Sequence, residues 1–240
     1  MTDAPAPMLD VRNLEMHFSL GGSVLDRLRF GKKGPRIDKP VVRAVNGVNF
    51  TIERGEIMAL VGESGCGKST VAKTIARIYK PTGGALRIDG EDVAEHDFAQ
   101  MLPVRAKMQM IFQDPYASLN PRQKVRDIVA EPLLQQTKTA AERREVPKKI
   151  EALLAKVGLN AEHAGRYPHQ FSGGQRQRIG IARALALEPE LIVADEAVSA
   201  LDVSIQAQIL ELLEDLKQKL SLSLLFITHD LRVAAQICDH

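Results

Sequence analysis

Ile57-Met58-Ala59-Leu60-Val61-Gly62-Glu63-Ser64-Gly65-Cys66-Gly67-Lys68-Ser69-Thr70 is the stretch whose reading decides the fold. Five apolar residues without polar alternation suit a strand covered on both faces. They run directly into G-x-x-x-x-G-K-[ST], and a helical pattern follows at Val71, Ile75 and Ile78. Strand, glycine loop and helix in that order form a phosphate-binding loop; a glycine-rich turn with a chance lysine would lack such flanks. The glycines let backbone amides turn inward on phosphate oxygens, and the helix N-terminus adds positive partial charge. Lys68 is expected to reach β- and γ-phosphates, and the Ser69 hydroxyl to bind Mg²⁺.

Three further apolar runs, at Met108–Phe112, Leu191–Ala194 and Leu222–Ile227, are equally short, and with Ile57–Val61 they predict a central parallel sheet. Earlier in the chain, Leu14, Met16 and Phe18 alternate with polar residues, as do Val48, Phe50 and Ile52, which predicts a half-buried antiparallel region. Ile205, Ile209, Leu212, Leu213, Leu216 and Leu220 line one helical face. Ile150, Leu153, Leu154 and Val157 line another, in a helix expected to open near Pro147 and close at Gly158. Residues 115–171 contain no convincing buried strand and read as a helical lobe inserted into an α/β unit.

The 240 residues, 45% hydrophobic, suffice for one core with a smaller lobe rather than two full domains. A net charge of +2, from 32 basic and 30 acidic residues, supplies no field for a nucleic-acid surface. Cys66 and Cys238 have no zinc or disulfide spacing, which fits a reducing compartment. Met1–Pro7 lacks the features of a signal peptide, and no apolar run approaches the roughly 20 residues needed to span a bilayer, so any membrane role is expected through a partner. Residues 26–43 carry Arg27, Arg29, Lys32, Lys33, Arg36, Lys39 and Arg43 among glycine and proline. They read as a solvated basic loop, with anionic lipid headgroups as the alternative contact.

A phosphate loop alone also suits kinases, GTPases and helicase-like ATPases, so the rest of the set decides. Phe171-Ser172-Gly173-Gly174-Gln175 places Ser172 and Gln175 at capping-box spacing ahead of a helix carrying Ile179, Ile181 and Leu185. Gly173 and Gly174 would leave amides exposed there as a second anion site, although a plain helix start reads equally well in isolation. Further on, Leu191-Ile192-Val193-Ala194-Asp195-Glu196 ends a buried strand in two carboxylates. Asp195 is expected to hold Mg²⁺, and Glu196 to polarise an attacking water.

With Walker A, signature and Walker B in this order, the chain resembles the ATP-binding cassette (ABC) ATPases from Leu9 to Asp239. The resemblance implies a P-loop NTPase, RecA-like core with an N-terminal antiparallel subdomain and an inserted helical subdomain, the whole forming one unit over 8–240. It implies ATP and Mg²⁺ as ligands. Gln113 matches the glutamine that senses metal and phosphate, and Ser199-Ala200-Leu201-Asp202 the D-loop with its Asp202. His229 matches the switch histidine that contacts γ-phosphate. Phe18 stands where the family stacks an aromatic ring on adenine, though a core phenylalanine would occupy the same place. Ile111-Phe112-Gln113-Asp114-Pro115-Tyr116-Ala117-Ser118-Leu119-Asn120-Pro121-Arg122, Tyr167-Pro168-His169-Gln170 and Ser199-Ala200-Leu201-Asp202-Val203-Ser204-Ile205-Gln206-Ala207-Gln208 are similar to the corresponding stretches of bacterial importers of oligopeptides, dipeptides and nickel. Phe171 replaces the usual signature leucine, and Ala197 replaces the proline that often follows the catalytic glutamate. The family continues beyond its switch histidine, so a sequence ending at His240 reads as truncated.

The resemblance further implies a two-subunit machine in which ATP lies between the phosphate loop of one ATPase and the signature of another, either a non-identical sister or an identical copy. Its expected partners are transmembrane permease subunits and, indirectly, an extracytoplasmic substrate-binding protein. The expected location is peripheral, on the cytoplasmic face of the membrane, with peptide as first cargo and nickel as second. A soluble cassette acting on nucleic acid or the ribosome is the alternative, but it would normally bring a coiled-coil insertion or a second phosphate loop.

Overall fold

The computed structural model describes residues 6–19 and 40–238. The basic segment at 26–39 lies outside the described residues, while Val41–Arg43 of the expected loop already belong to a strand. Two four-stranded sheets form the framework. In the antiparallel sheet, β1 (Leu9–Ser19) lies between β2 (Val41–Ile52) and β4 (Gly83–Ile88), with the short β5 (Glu91–Asp92) at the edge. The alternation at Leu14 and Met16 is realised, both side chains being buried.

The second sheet is parallel throughout, in the order β3 (Ile57–Val61), β8 (Ser223–Thr228), β7 (Leu191–Asp195) and β6 (Met108–Ile111). Its two middle strands are fully buried, which is why their sequences show no polar alternation. Phe112 falls outside β6 and is exposed, so the strand made by the Met108–Phe112 run is one residue shorter than its sequence suggests. One face of this sheet packs on α1 (Lys68–Ile75), α2 (Phe98–Lys107) and the antiparallel sheet. The other face packs on the helices that follow β6 in the chain.

Those helices are α3 (Val125–Gln136), α4 (Ala140–Lys156) and α5 (Gly173–Leu185), with α6 (Val203–Leu220) and α7 (Leu231–Ile237) completing the layer. Among the described residues, positions 115–171 contain helices and turns but no strand. The start of α4 corrects the sequence reading. It opens at Ala140 under a reciprocal capping box between Thr139 and Glu142, and Pro147 lies inside it. Cap and apolar face together outweigh the hydrogen bond that an internal proline removes, because Val146, Ile150, Leu153 and Leu154 are all buried. The C-terminal end is as expected, with Gly158 at φ +72° taking the chain out of the helix.

β8 joins β3 to β7 and so fixes the phosphate loop relative to the carboxylate end of β7; Phe226 at its centre is fully buried. Phe226→Ala is expected to lower unfolding free energy by about 3–5 kcal/mol, read from urea denaturation.

Candidate nucleotide site

All four strands of the parallel sheet end on one edge, where α/β folds place their ligands. Val61 leads into the phosphate loop, Ile111 leads to Gln113, Asp195 ends β7, and Thr228 precedes His229. A cavity of about 220 Å³ opens there, lined by Ser64, Gly65, Gly67, Lys68, Ser69, Thr70, Gln113 and Glu196.

The phosphate loop is shaped for backbone donation. Gly67 caps α1 at φ +101° with no side chain bonding the first-turn amides, which leaves them free for an anion. A Cβ at Gly67 would lie 2.4 Å from the carbonyl oxygen of Ala44, so β2 as well as φ demands glycine. Gly62 is similarly tight, its ideal Cβ falling 2.8 Å from the Sγ of Cys66. Lys68 is buried and folds back over the loop, its Nζ donating to the carbonyls of Gly62 at 2.7 Å and Glu63 at 2.8 Å.

Asp195 is only 4% exposed, and Ser69 Oγ donates to its Oδ1 at 2.9 Å. Burial pushes this carboxyl above the ordinary aspartate range, while the Ser69 hydrogen bond and the charge of Lys73 pull the other way. A hydroxyl and a carboxylate in contact are the hard oxygen donors that Mg²⁺ takes from protein, the remainder coming from phosphate and water. Among the described residues, no three His, Cys, Asp or Glu side chains form an all-protein metal cage. The donor set therefore fits a metal that arrives with phosphate.

Glu196 reaches the cavity by a different route. It leaves β7 in the left-handed region at φ +48°, held by its N–H donating to the carbonyl of Ile227 at 3.0 Å. A glutamate in that conformation stores about 1–3 kcal/mol of strain, typical of functional positions. Its Oε2 accepts from Gln113 Nε2 at 3.0 Å and lies 3.5 Å from His229 Nδ1, and its Oε1 is 4.0 Å from Lys68 Nζ. The fold thus gathers Gly62–Thr70, Gln113, Asp195, Glu196 and His229 at one sheet edge. Gln113 bonds to Glu196, with no bond to the Ser69–Asp195 pair with which it was expected to share a metal.

The signature residues do not line this cavity. Ser172 caps α5, its Oγ accepting from the amide of Gln175 at 3.3 Å while Gln175 Oε1 accepts from the Ser172 amide at 3.1 Å. Gly174 packs so closely that a Cβ would meet Cγ2 of Ile205 at 2.4 Å. Asp202 caps α6, accepting from the amide of Ile205 at 3.0 Å. Phe18 also lies outside the cavity lining and meets the ring of Tyr79 edge-on at 5.3 Å. Phe171, where leucine was expected, is buried against His163 with ring centroids 5.3 Å apart. Gln206 escaped the sequence reading. Its amide donates to the carbonyls of Val198 and Leu201, both at 3.0 Å, and so ties the Ser199–Asp202 loop to α6. Only its place inside a quoted string singled it out.

Fold and cavity define a class, the phosphate-loop NTPases. Residues 45–199 match the family described as ABC transporter. The oligopeptide transport ATP-binding protein AppF of Bacillus subtilis is 49% identical over 97% of this chain and 67% of its own length. The dipeptide transport ATP-binding protein DppF of Escherichia coli is 48% identical over 97% of this chain and 66% of its own. The chain thus spans about two thirds of the length of these curated relatives. The ATP-binding cassette MJ0796, solved as a dimer in a post-hydrolysis state with ADP and Pi, superimposes with a TM-score of 0.78 at 30% identity, covering 95% of this chain and 90% of that one. The chain belongs to the ABC transporter family, as an ATPase cassette, and the resemblance read from its motifs holds.

Because Asp195 is buried with its carboxyl raised, the folded state favours the neutral form. The stability this confers at acid pH is lost as pH rises from the ordinary aspartate range through the raised value. Asp195→Asn is therefore expected to raise the melting temperature at pH 7, by up to about 4 °C, and to flatten the pH dependence above pH 4. Differential scanning calorimetry across pH checks this.

Proposed function

We propose that this chain binds and hydrolyses ATP as the motor subunit of a peptide importer. The observation that carries the reading is Glu196, a strained glutamate bonded to Gln113 and flanked by Lys68 and His229 beside a phosphate-shaped cavity. The free amides of α1 and the loop glycines take the phosphate oxygens, and Lys68 shifts from the loop carbonyls toward the γ-phosphate. Ser69 and Asp195 hold Mg²⁺, which when bound neutralises charge on the phosphates. Glu196 and His229 orient a water in line with the γ-phosphorus. As its oxygen bonds to phosphorus and the bond to the β–γ bridging oxygen breaks, the water proton passes to the Glu196 carboxylate, leaving ADP and phosphate.

Ser172–Gln175 lie outside the cavity lining of their own chain, so the reading completes the site with the signature of a second ATPase, a sister or an identical copy. The dimeric cassette to which this fold is similar supports that arrangement. AppF and DppF, as peptide transport ATP-binding proteins, support peptide over nickel as cargo. No helix among the described residues is long and apolar enough to cross a membrane. The place proposed, which follows from the importer reading, is the cytoplasmic face of the membrane, beneath permease subunits fed by a substrate-binding protein.

Two measurements test the chemistry. Glu196→Gln keeps MgATP affinity within about twofold and lowers steady-state turnover about 100-fold or more; turnover near wild type removes Glu196 from its role. Gly67→Ala, blocked by the carbonyl of Ala44 and by φ, abolishes nucleotide retention in a filter assay.

A further inference from the structure

Two overlapping turns join Glu196 to α6. In the first, the amide and the Oγ of Ser199 both donate to the carbonyl of Glu196, at 3.1 and 3.0 Å. In the second, the amide of Leu201 donates to the carbonyl of Val198 at 3.1 Å. Ala197 and Val198 are buried, whereas Ala200 and Asp202 are exposed. The outer end of such a loop gains little from packing, so its conformation depends on hydrogen bonds.

Gln206, half-buried near the start of α6, supplies them. Its Nε2 donates to the carbonyls of Val198 and Leu201, both at 3.0 Å, which uses both donors that a glutamine amide has. The helix itself needs neither bond. Asp202 already caps it, accepting from the amide of Ile205 at 3.0 Å, and the backbone amide of Gln206 donates to the carbonyl of Asp202 at 2.8 Å. The Gln206 side chain therefore serves the loop before the helix. At the far end of that loop stands Glu196, at φ +48°. A strained setting of this kind persists only where its surroundings over-determine it. Relaxation into the right-handed region would carry the carboxylate away from Gln113 Nε2, now 3.0 Å from its Oε2, and from His229 Nδ1, now at 3.5 Å.

We propose that Gln206 is a positioning residue for hydrolysis: by clamping the 198–201 turn it keeps Glu196 in its left-handed setting, with the carboxylate beside the phosphate cavity. The role rests on the ATPase reading above; the clamp itself does not. Loss of the two donors frees the turn, Ser199 no longer holds the Glu196 carbonyl in place, and the carboxylate spends its time out of reach of the attacking water. Gln206 does not line the phosphate cavity, so MgATP binding is left intact.

Gln206→Met and Gln206→Glu keep the length of the side chain and remove both donors. Amide hydrogen exchange of the full-length, nucleotide-free chain reads the clamp. Both variants speed exchange at 196–201 about fivefold or more, the size that loss of two hydrogen bonds supports, while β7 keeps the wild-type rate. Titration with MgATP and steady-state hydrolysis, measured on the full-length chain in complex with its second ATPase, read the role. The kcat falls about tenfold or more with MgATP affinity within about twofold, the split that separates a misplaced reacting group from lost binding. Unchanged exchange at 196–201 overturns the clamp, as does faster exchange at β7 as well, which marks general loosening. A kcat within about twofold of wild type overturns the positioning role, and so does affinity that falls in parallel with kcat. A wild type that retains no MgATP overturns the ATPase reading and the positioning role together, while the exchange result decides the clamp by itself.

Discussion

A buried carboxylate answered by a single hydroxyl is the constraint on which the site depends. Asp195 sits at the end of a strand with no exposed face, and Ser69, at the start of α1, bonds to it across the sheet edge. Burial of this kind costs stability unless the charge is compensated. The protein compensates it only in part, and in the function proposed above a cation arriving with phosphate meets the remaining demand. Apolar packing on both faces sets that geometry, because β8 and its buried neighbours fix the register of β3 against β7 and so place Ser69 beside Asp195.

Glu196 shows the same economy. A residue following a strand would normally alternate to the far side, yet a left-handed turn brings its carboxylate back beside the cavity. The strain is held locally by the N–H bond to Ile227 and by Ser199, whose Oγ and amide both donate to the Glu196 carbonyl, at 3.0 and 3.1 Å. The signature follows a different logic. Gly174 is required by its own chain, since Ile205 fills the space a side chain would need. The first turn of α5 does not line the resident cavity. In the function proposed above, a glycine needed for close packing also serves a ligand held elsewhere.

Much of this was legible in the sequence, for identifiable reasons. Uniformly apolar runs mark strands buried on both faces, and the glycine loop admits few other readings, so the parallel sheet and the phosphate loop followed directly. The antiparallel sheet was read through β1 and β2, whereas β4 was missed: Gly83 and Gly84 open it and hide its alternation. α4 was misread because an internal proline is a strong local signal, and the Thr139–Glu142 cap that overrides it is a weaker one. Within the site, Gln113, Asp195, Glu196 and His229 stood out as motif residues. Their mutual geometry did not, since no spacing rule foretells that Gln113 bonds to Glu196 rather than to the Ser69–Asp195 pair. The contacts of Arg176 with Tyr116 and of Arg183 with Ser118 were invisible for a related reason, being made across 60 or more residues of sequence.

The account turns on phosphate and a divalent cation being bound as one ligand by the Ser69–Asp195 end of the cavity. Isothermal titration of ATP into the full-length chain, once with Mg²⁺ and once with EDTA, measures this directly. The account predicts affinity at least about tenfold tighter with Mg²⁺, or about 1.4 kcal/mol. Equal affinity in the two titrations, or no binding in either, would contradict it.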